Sequence, residues 1–359
     1  MTIVLNGTTG ITTPTTSSTG EFVTSVTGFK NRIINGAMVI DQRNAGASIT
    51  PAQDAFMTDR FKWGQSQSSK FTAQQVSTAP AGFINSLKMT VSAAVTIGAT
   101  DYFTVYQPIE GLNIADLAWG TSSAATVTLS FWVYSSLTGT FGGSVRNSNG
   151  TRSYPYTYTI SAANTWEQKS ITIVGDTTGT WLTTNGVGIY LQFGLGVGAT
   201  YSGTASAWAG ANNLSATGAT SVVATNGATW YVTGVQIEKG STATSFDYRP
   251  YGTELALCQR YYEVIGGSFG GNAYSTTYFM GSSGFRVTKR ATPTIALLTT
   301  SPQLYQAGIG LKTATSASDG ASTANVDGFY MALNGFSGLT QYAGCGMTTT
   351  SVFSATSEL

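Results

Sequence analysis

The octapeptide VTLSFWVY, residues 127–134, leaves little choice of fold. Val127, Leu129, Phe131 and Val133 recur at every second position, with Thr128, Ser130, Trp132 and Tyr134 between them. Successive side chains of an extended strand point to opposite faces, so this period gives one strand an apolar face and a mixed one. A helix would scatter the same residues around its circumference. VGIYLQF repeats the pattern, with Val187, Ile189, Leu191 and Phe193 alternating with Gly188, Tyr190 and Gln192. SITIV and WYVTGVQI add further strands, and NSNG, GDTTG and TNG supply turn signals between them. Neither long helical periods nor βαβ spacing occurs over residues 31–250, which predicts a jelly-roll β-sandwich there.

Composition narrows the function classes. Charged residues make up 9% of the 359, against about 25% in an average soluble domain. A surface so poor in charge is wetted by hydroxyls and amides and resists self-association weakly, so a permanent oligomer is expected. The formal net charge is +1 with no basic run, so no nucleic acid partner is expected. No apolar run approaches the roughly 18 residues of a spanning helix, and no membrane insertion is expected. The start, MTIVLNGTTG, lacks the basic and apolar regions of a signal peptide, which points to synthesis and folding in a cytoplasm. Histidine is absent, which removes Ser-His-Asp and Cys-His catalysis and the commonest zinc ligand. Cys258 and Cys345 have no metal-ligand spacing and read as reduced, buried thiols.

Four segments follow. Residues 1–30 carry a short apolar start, Ile3, Val4 and Leu5, before a Thr/Ser/Gly run that cannot bury a core, so they form either an extended arm or a loose tail. Residues 31–250 are the sandwich. Residues 251–263 predict one short helix, with Thr253 as its cap, Glu254 in the first turn and Arg260 in the last. Leu255, Cys258 and Tyr262 share a face of that helix, with Leu257 and Tyr261 beside it. So short a helix is marginal alone and must dock on the flanking domains or on copies of itself. Residues 264–359 return to short strands and loops. The fold class is therefore all-β, a sandwich plus a smaller C-terminal β domain joined by one short helix.

Several stretches together resemble bacteriophage tail-fibre and virion structural proteins. They are NRIINGAMVIDQRNAG, FMTDRFKW, TVTLSFWVYSS, ANTWEQKSITIVGDTTGTW, KRATPTI, the terminal ATSEL and, most specific, the run from Trp230 to Tyr262. The resemblance runs from about residue 30 to the end, and MTIVLNGTTGITTP resembles the opening of many phage structural proteins. It implies a virion location, a homotrimer, and a sandwich similar to carbohydrate-binding modules. It further implies that the arm docks on other virion proteins through Ile3, Val4 and Leu5; in such a trimer the apolar coverage of the helix sets Leu255, Cys258 and Tyr262 against their copies near the threefold axis.

Sugar binding on a β-sandwich needs exposed aromatic faces with amides or hydroxyls at the rim. Tyr154, Tyr156 and Tyr158 in RSYPYTYTI share one strand face and form either a stacking platform or a packing ladder. Trp208 stands in a Gly/Ala-rich loop as a second candidate, weighed against a structural role. Tyr274, Tyr278, Tyr330 and Tyr342 lie among glycines of the C-terminal domain, the expected receptor-contact tip. No catalytic residue is assigned. The 16 Asp and Glu are scattered singly, and Asp59 and Arg60 read as an ion pair. No cofactor is expected; a structural calcium would have to draw on residues such as Asp101 or Asp116. GGNAYSTTYFMGSSG lacks the spacing of a phosphate-binding loop. Attachment to a host-surface glycan is the leading reading. A structural or decoration protein is the alternative, and a polysaccharide depolymerase the third.

Overall fold

The computed structural model describes residues 30–359 apart from Ser268, Gly320 and Ala321, together with the strands Val4–Asn6 and Gly10–Thr12. The N-terminal unit, Met1–Lys30, contains those two strands in antiparallel register, Val4 opposite Thr12 and Leu5 opposite Ile11. Ile3 lies outside the described residues.

The second unit, Asn31–Leu359, begins with the sandwich. One sheet has six strands in the order Ser153–Ile160, Gly139–Arg146, Val187–Val197, Tyr102–Glu110, Phe61–Gln65 and Phe56–Thr58. The facing sheet has five, Glu167–Ile173, Val127–Ser135, Thr229–Lys239, Ser86–Val91 and Phe71–Val76. Every pairing in both sheets is antiparallel, and the chain passes repeatedly from one sheet to the other, which makes the sandwich a jelly roll. Val127, Leu129, Phe131 and Val133 point inward, as do Ile189, Leu191 and Phe193 from the opposite sheet. Phe131 and Phe193 meet edge to face across the core at 5.0 Å. Burial of each such ring contributes about 1.5–3 kcal/mol, so the alternation itself drives the two sheets together.

The same core claims the first tyrosine trio. Tyr154, Tyr156 and Tyr158 all lie inside the sandwich, Tyr156 with no exposed surface. The Tyr156 hydroxyl donates to the Gln192 carbonyl at 2.7 Å, and the Trp230 indole N–H donates to the Tyr158 oxygen at 3.1 Å. Their shared face is thus a packing ladder and no platform. Phenols tolerate this position because each buried oxygen has a partner.

The helix runs over Tyr251–Gln259, behind Pro250 rather than a capping Thr253, and Tyr262 already belongs to the strand Tyr262–Ile265. It packs on its own chain. Cys258 and Tyr261 are fully buried against Ile34 and Ile40, with Leu255 and Leu257 at the margin of that cluster. Tyr262 is buried too, under the Arg43 guanidinium 3.6 Å from its ring. Cys258 and Tyr262, expected at a threefold contact, are thus buried within their own chain, while Leu255 is half-buried at the margin of the cluster. A short helix without a side-chain cap needs tertiary packing, and residues 34–40 supply it.

Asp59 and Arg60 turn to different partners. Asp59 accepts from the Gln42 N–H at 3.0 Å and lies 3.7 Å from Arg43. Arg60, fully buried, binds the Glu358 carboxylate and the Pro108 carbonyl and sits 3.6 Å over the Tyr261 ring. Glu110 receives Arg260 at 2.6 Å and the Tyr261 hydroxyl at 2.5 Å. These charges join the sandwich to the C-terminal strands.

Those strands form a three-stranded sheet, Tyr262–Ile265, Phe353–Thr356 and Thr294–Leu297, and a larger one around Gly344–Met347, Gly270–Ala273, Phe279–Gly284 and Gly328–Asn334. Phe279, Leu304, Met331, Leu333 and Phe353 form their common core. Cys258 and Cys345 are both buried and unpaired.

Candidate functional site

The larger C-terminal sheet presents an unusual outer face. Cross-strand neighbours share a face. Gly270 pairs with Gly346, Gly346 with Tyr305, Asn272 with Gly344 and with Met280, and Ser282 with Tyr330. Their in-strand neighbours Ala273, Cys345, Met331 and Leu304 point into the core, so these residues point out. The result is an outer face with glycine along its middle strands and Tyr305 and Tyr330 on the flanking ones; Gly270 lines a trough bordered by Tyr274 and Tyr342, and Gly344 and Gly346 lie on the strand beside it.

Packing does not explain the glycines. A Cβ added at Gly344 or Gly346 would meet nothing within 4 Å, and at Gly270 only the Cys345 carbonyl at 3.8 Å. None of the three has a positive φ. By contrast, a Cβ on inward-facing Gly271 would lie 2.1 Å from the Met280 carbonyl. Glycine weakens a strand unless a close approach requires it, and on the outer face none of the described residues makes that approach.

Loops at the rim bring in two more rings. Tyr342, 74% exposed, is held at φ 65°, a left-handed conformation that bulky residues seldom adopt. Its N–H donates to the Ala273 carbonyl at 2.7 Å. The buried Gln306 amide braces the same turn, accepting from the Thr340 N–H at 2.7 Å and donating to the Thr340 carbonyl at 3.0 Å. Tyr274 lies edge to face with Tyr278 at 6.0 Å. Tyr274, Tyr330 and Tyr342 thus line one groove of about 390 Å³ with Asn272, Met280 and Ser282, and no lining residue is charged. Half-buried Tyr278 stands behind Tyr274 and outside the lining. An adjoining groove of about 530 Å³ shares Ser282 and Tyr330 and adds Asn325 and Asp327. Burial, then the neighbouring Tyr278 and Tyr274, push the Tyr330 phenol up. Uncharged rings flanked by amide and hydroxyl groups can stack on an apolar face and hydrogen-bond at its edge.

Trp208 takes the structural role. Its indole packs edge to face on Trp119 and Trp181, each at 5.5 Å, and its N–H donates to the Val174 carbonyl at 2.8 Å. Asp101 is held by Ser66, Gln67 and the Gly98 N–H, and Asp116 by Arg32. Among the described residues no group of three or more Cys, Asp or Glu is gathered for a metal.

A second cleft, absent from the sequence expectations, opens on the outer face of the six-stranded sheet. Tyr102, Thr104 and Tyr106 line it from one strand, Gln192 from the next and Arg146 from the one beyond. Tyr201, Asn212, Gln53 and Asp54 close its sides, leaving about 180 Å³. The alternation in VGIYLQF already set Tyr190 and Gln192 on one face; what it lacked was any sign of which face is wet.

No protein-family model matches the chain, and no curated protein matches it. Solved structures do match in fold. They include the enzymatically active domain of bacteriophage CBA120 tailspike protein 4, at 14% identity and TM-score 0.33, covering 59% of this chain. This chain spans only 22% of that tailspike chain. A CBM4 structure matches at 13% identity and TM-score 0.32, over 57% of this chain and 98% of its own. A family 11 carbohydrate-binding module of Clostridium thermocellum matches at 12% identity and TM-score 0.28, over 54% of this chain and 95% of its own. The likeness is one of fold.

Proposed function

We propose that this chain is a non-catalytic bacteriophage virion fibre protein that binds host-surface glycans through the trough between Tyr274, Tyr330 and Tyr342. The observation that carries the reading is the set of glycines on and beside its floor. Gly270, Gly344 and Gly346 sit in strands where neither backbone conformation nor packing asks for glycine. A ligand lying across the strands would ask for it. The trough holds no charge, which suits a neutral sugar chain stacked on phenol rings and hydrogen-bonded by Asn272 and Ser282. In this reading residues 1–30 dock on other virion proteins and the chain is displayed as a homotrimer. Weak sites presented together gain on the order of 10²–10⁴ in avidity over one alone.

Adsorption competition tests this. Host cells are exposed to the purified full-length protein before phage are added, and free phage are counted. Dose-dependent blocking that is lost in Y274A/Y342A supports the proposal. Blocking that survives in that variant removes the trough from it. No blocking by folded protein favours the structural or decoration role, and release of reducing sugar would restore the depolymerase.

A further inference from the structure

Arg146 differs from the other arginines around it. Arg60 reaches Glu358, Arg152 reaches Asp176 at 2.6 Å and Arg260 reaches Glu110 at 2.6 Å. Among the described residues no carboxylate lies within 4 Å of Arg146. Its guanidinium lies over the Tyr190 ring, 4.2 Å from the centroid. The Gln192 amide oxygen, turned toward it, accepts from Nε at 2.9 Å and Nη2 at 3.3 Å. Nη1 has no protein partner among the described residues. Burial disfavours the charged form of this side chain, and no carboxylate among the described residues pairs with it.

The surroundings state what the counter-charge would be attached to. Tyr102 and Tyr201 stand edge to face at 5.6 Å, and Asn212 and Gln53 place amides at the rim. Phenol rings and amides suit a hydroxylated ring more than a bare ion. The cleft also has an acidic end. Asp54 accepts from the Tyr106 hydroxyl and from Gln53 Nε2 at 3.2 Å, and its backbone is tied to the strand Phe61–Gln65. The carboxylate itself sits at the Tyr106 hydroxyl, two strands from Arg146 and in the same cleft. A carboxylate there disfavours ligands of high negative charge, whereas one planar guanidinium matches a single carboxylate through paired hydrogen bonds.

We infer that this cleft is a second binding site, specific for a carboxylated sugar residue of an acidic polysaccharide, with Arg146 taking the carboxylate and Tyr102 and Tyr201 the ring. It shares no residue with the C-terminal trough and does not rest on that site being occupied.

Titration calorimetry on the full-length protein tests it with trisaccharides of galacturonate, glucuronate and mannuronate, and with neutral galactotriose. At least one acidic trisaccharide should bind about tenfold or more tighter than the neutral one, with a preference that shrinks as salt rises. R146Q should abolish that preference, and Y274A/Y342A should leave it intact. If R146Q fails to fold, R146K serves, since it keeps the charge but not the planar fork and should lose most of the preference. Equal affinity for acidic and neutral sugars, binding of none of the acidic three, or a preference that survives the Arg146 variant overturns the inference. Strong competition by inorganic phosphate overturns the ligand class.

Discussion

Gly270 and Gly346 face each other across adjacent antiparallel strands, and neither position is crowded by the other described residues. Gly270 lies on the floor of the C-terminal trough and Gly346 on the strand beside it, and the pair separates two costs that usually come together. A side chain added there should not disturb the fold, yet it would occupy the space a ligand needs.

Gly346→Ala should therefore hold or raise stability, by up to about 1 kcal/mol, because alanine loses less conformational freedom than glycine in a strand. Gly346→Trp should unfold within about 1 kcal/mol of the parent while abolishing the block of phage adsorption. Urea unfolding and the adsorption count check the two halves. A Trp variant that still blocks would show that the trough is not the contact.

The tyrosines divide by role, and substitutions should divide the same way. Tyr156→Ala opens a cavity in the sandwich and should cost about 3–5 kcal/mol, whereas Tyr156→Phe removes only the hydroxyl bond to Gln192 and should cost about 1–2 kcal/mol. Tyr342→Ala, at an exposed ring, should cost little stability and weaken adsorption blocking. Denaturation midpoints would reveal the reverse order if Tyr156 were the surface residue.

Acid sensitivity should trace in part to Asp176. Burial by itself raises this carboxyl, but hydrogen bonds from Arg152 and Thr178 outweigh it and hold it below its ordinary 3.8. The folded state thus keeps the carboxylate at a pH where the unfolded chain takes up a proton. The stabilisation is complete above about pH 3.8 and is lost as pH falls through the folded value. D176N should cost about 1–3 kcal/mol at neutral pH and flatten the fall in stability below pH 4. Unfolding free energies at pH 7, 4 and 3 measure both. Parallel curves for parent and variant would assign the acid loss to other groups.

The period-two pattern was sufficient to place strands, because side chains of an extended backbone alternate whatever lies above them. It grouped the residues that share a face in Val127–Ser135 and Val187–Val197. The turn residues and the short helix were legible too, the latter because Pro250 and Gly252 stop a strand and Glu254 suits a first helical turn. Its cap and end were not, since they depend on what packs against it.

Alternation is symmetric, however, and does not say which face meets water. Tyr154, Tyr156 and Tyr158 repeat at every second residue and are buried, while Tyr102, Thr104 and Tyr106 repeat in the same way and line a cleft. The difference lies in the partner. One row meets the second sheet, and the other meets the loops that carry Gln53, Asp54, Tyr201 and Asn212. Similarly, Arg60 finds Glu358 across 298 positions of chain, where the sequence offered Asp59 next door. Local sequence determined which residues extend and which turn, since those are properties of a few consecutive backbone bonds. Burial, charge pairing and the two candidate sites were decided only by tertiary structure, because each depends on what a distant segment brings to the same face.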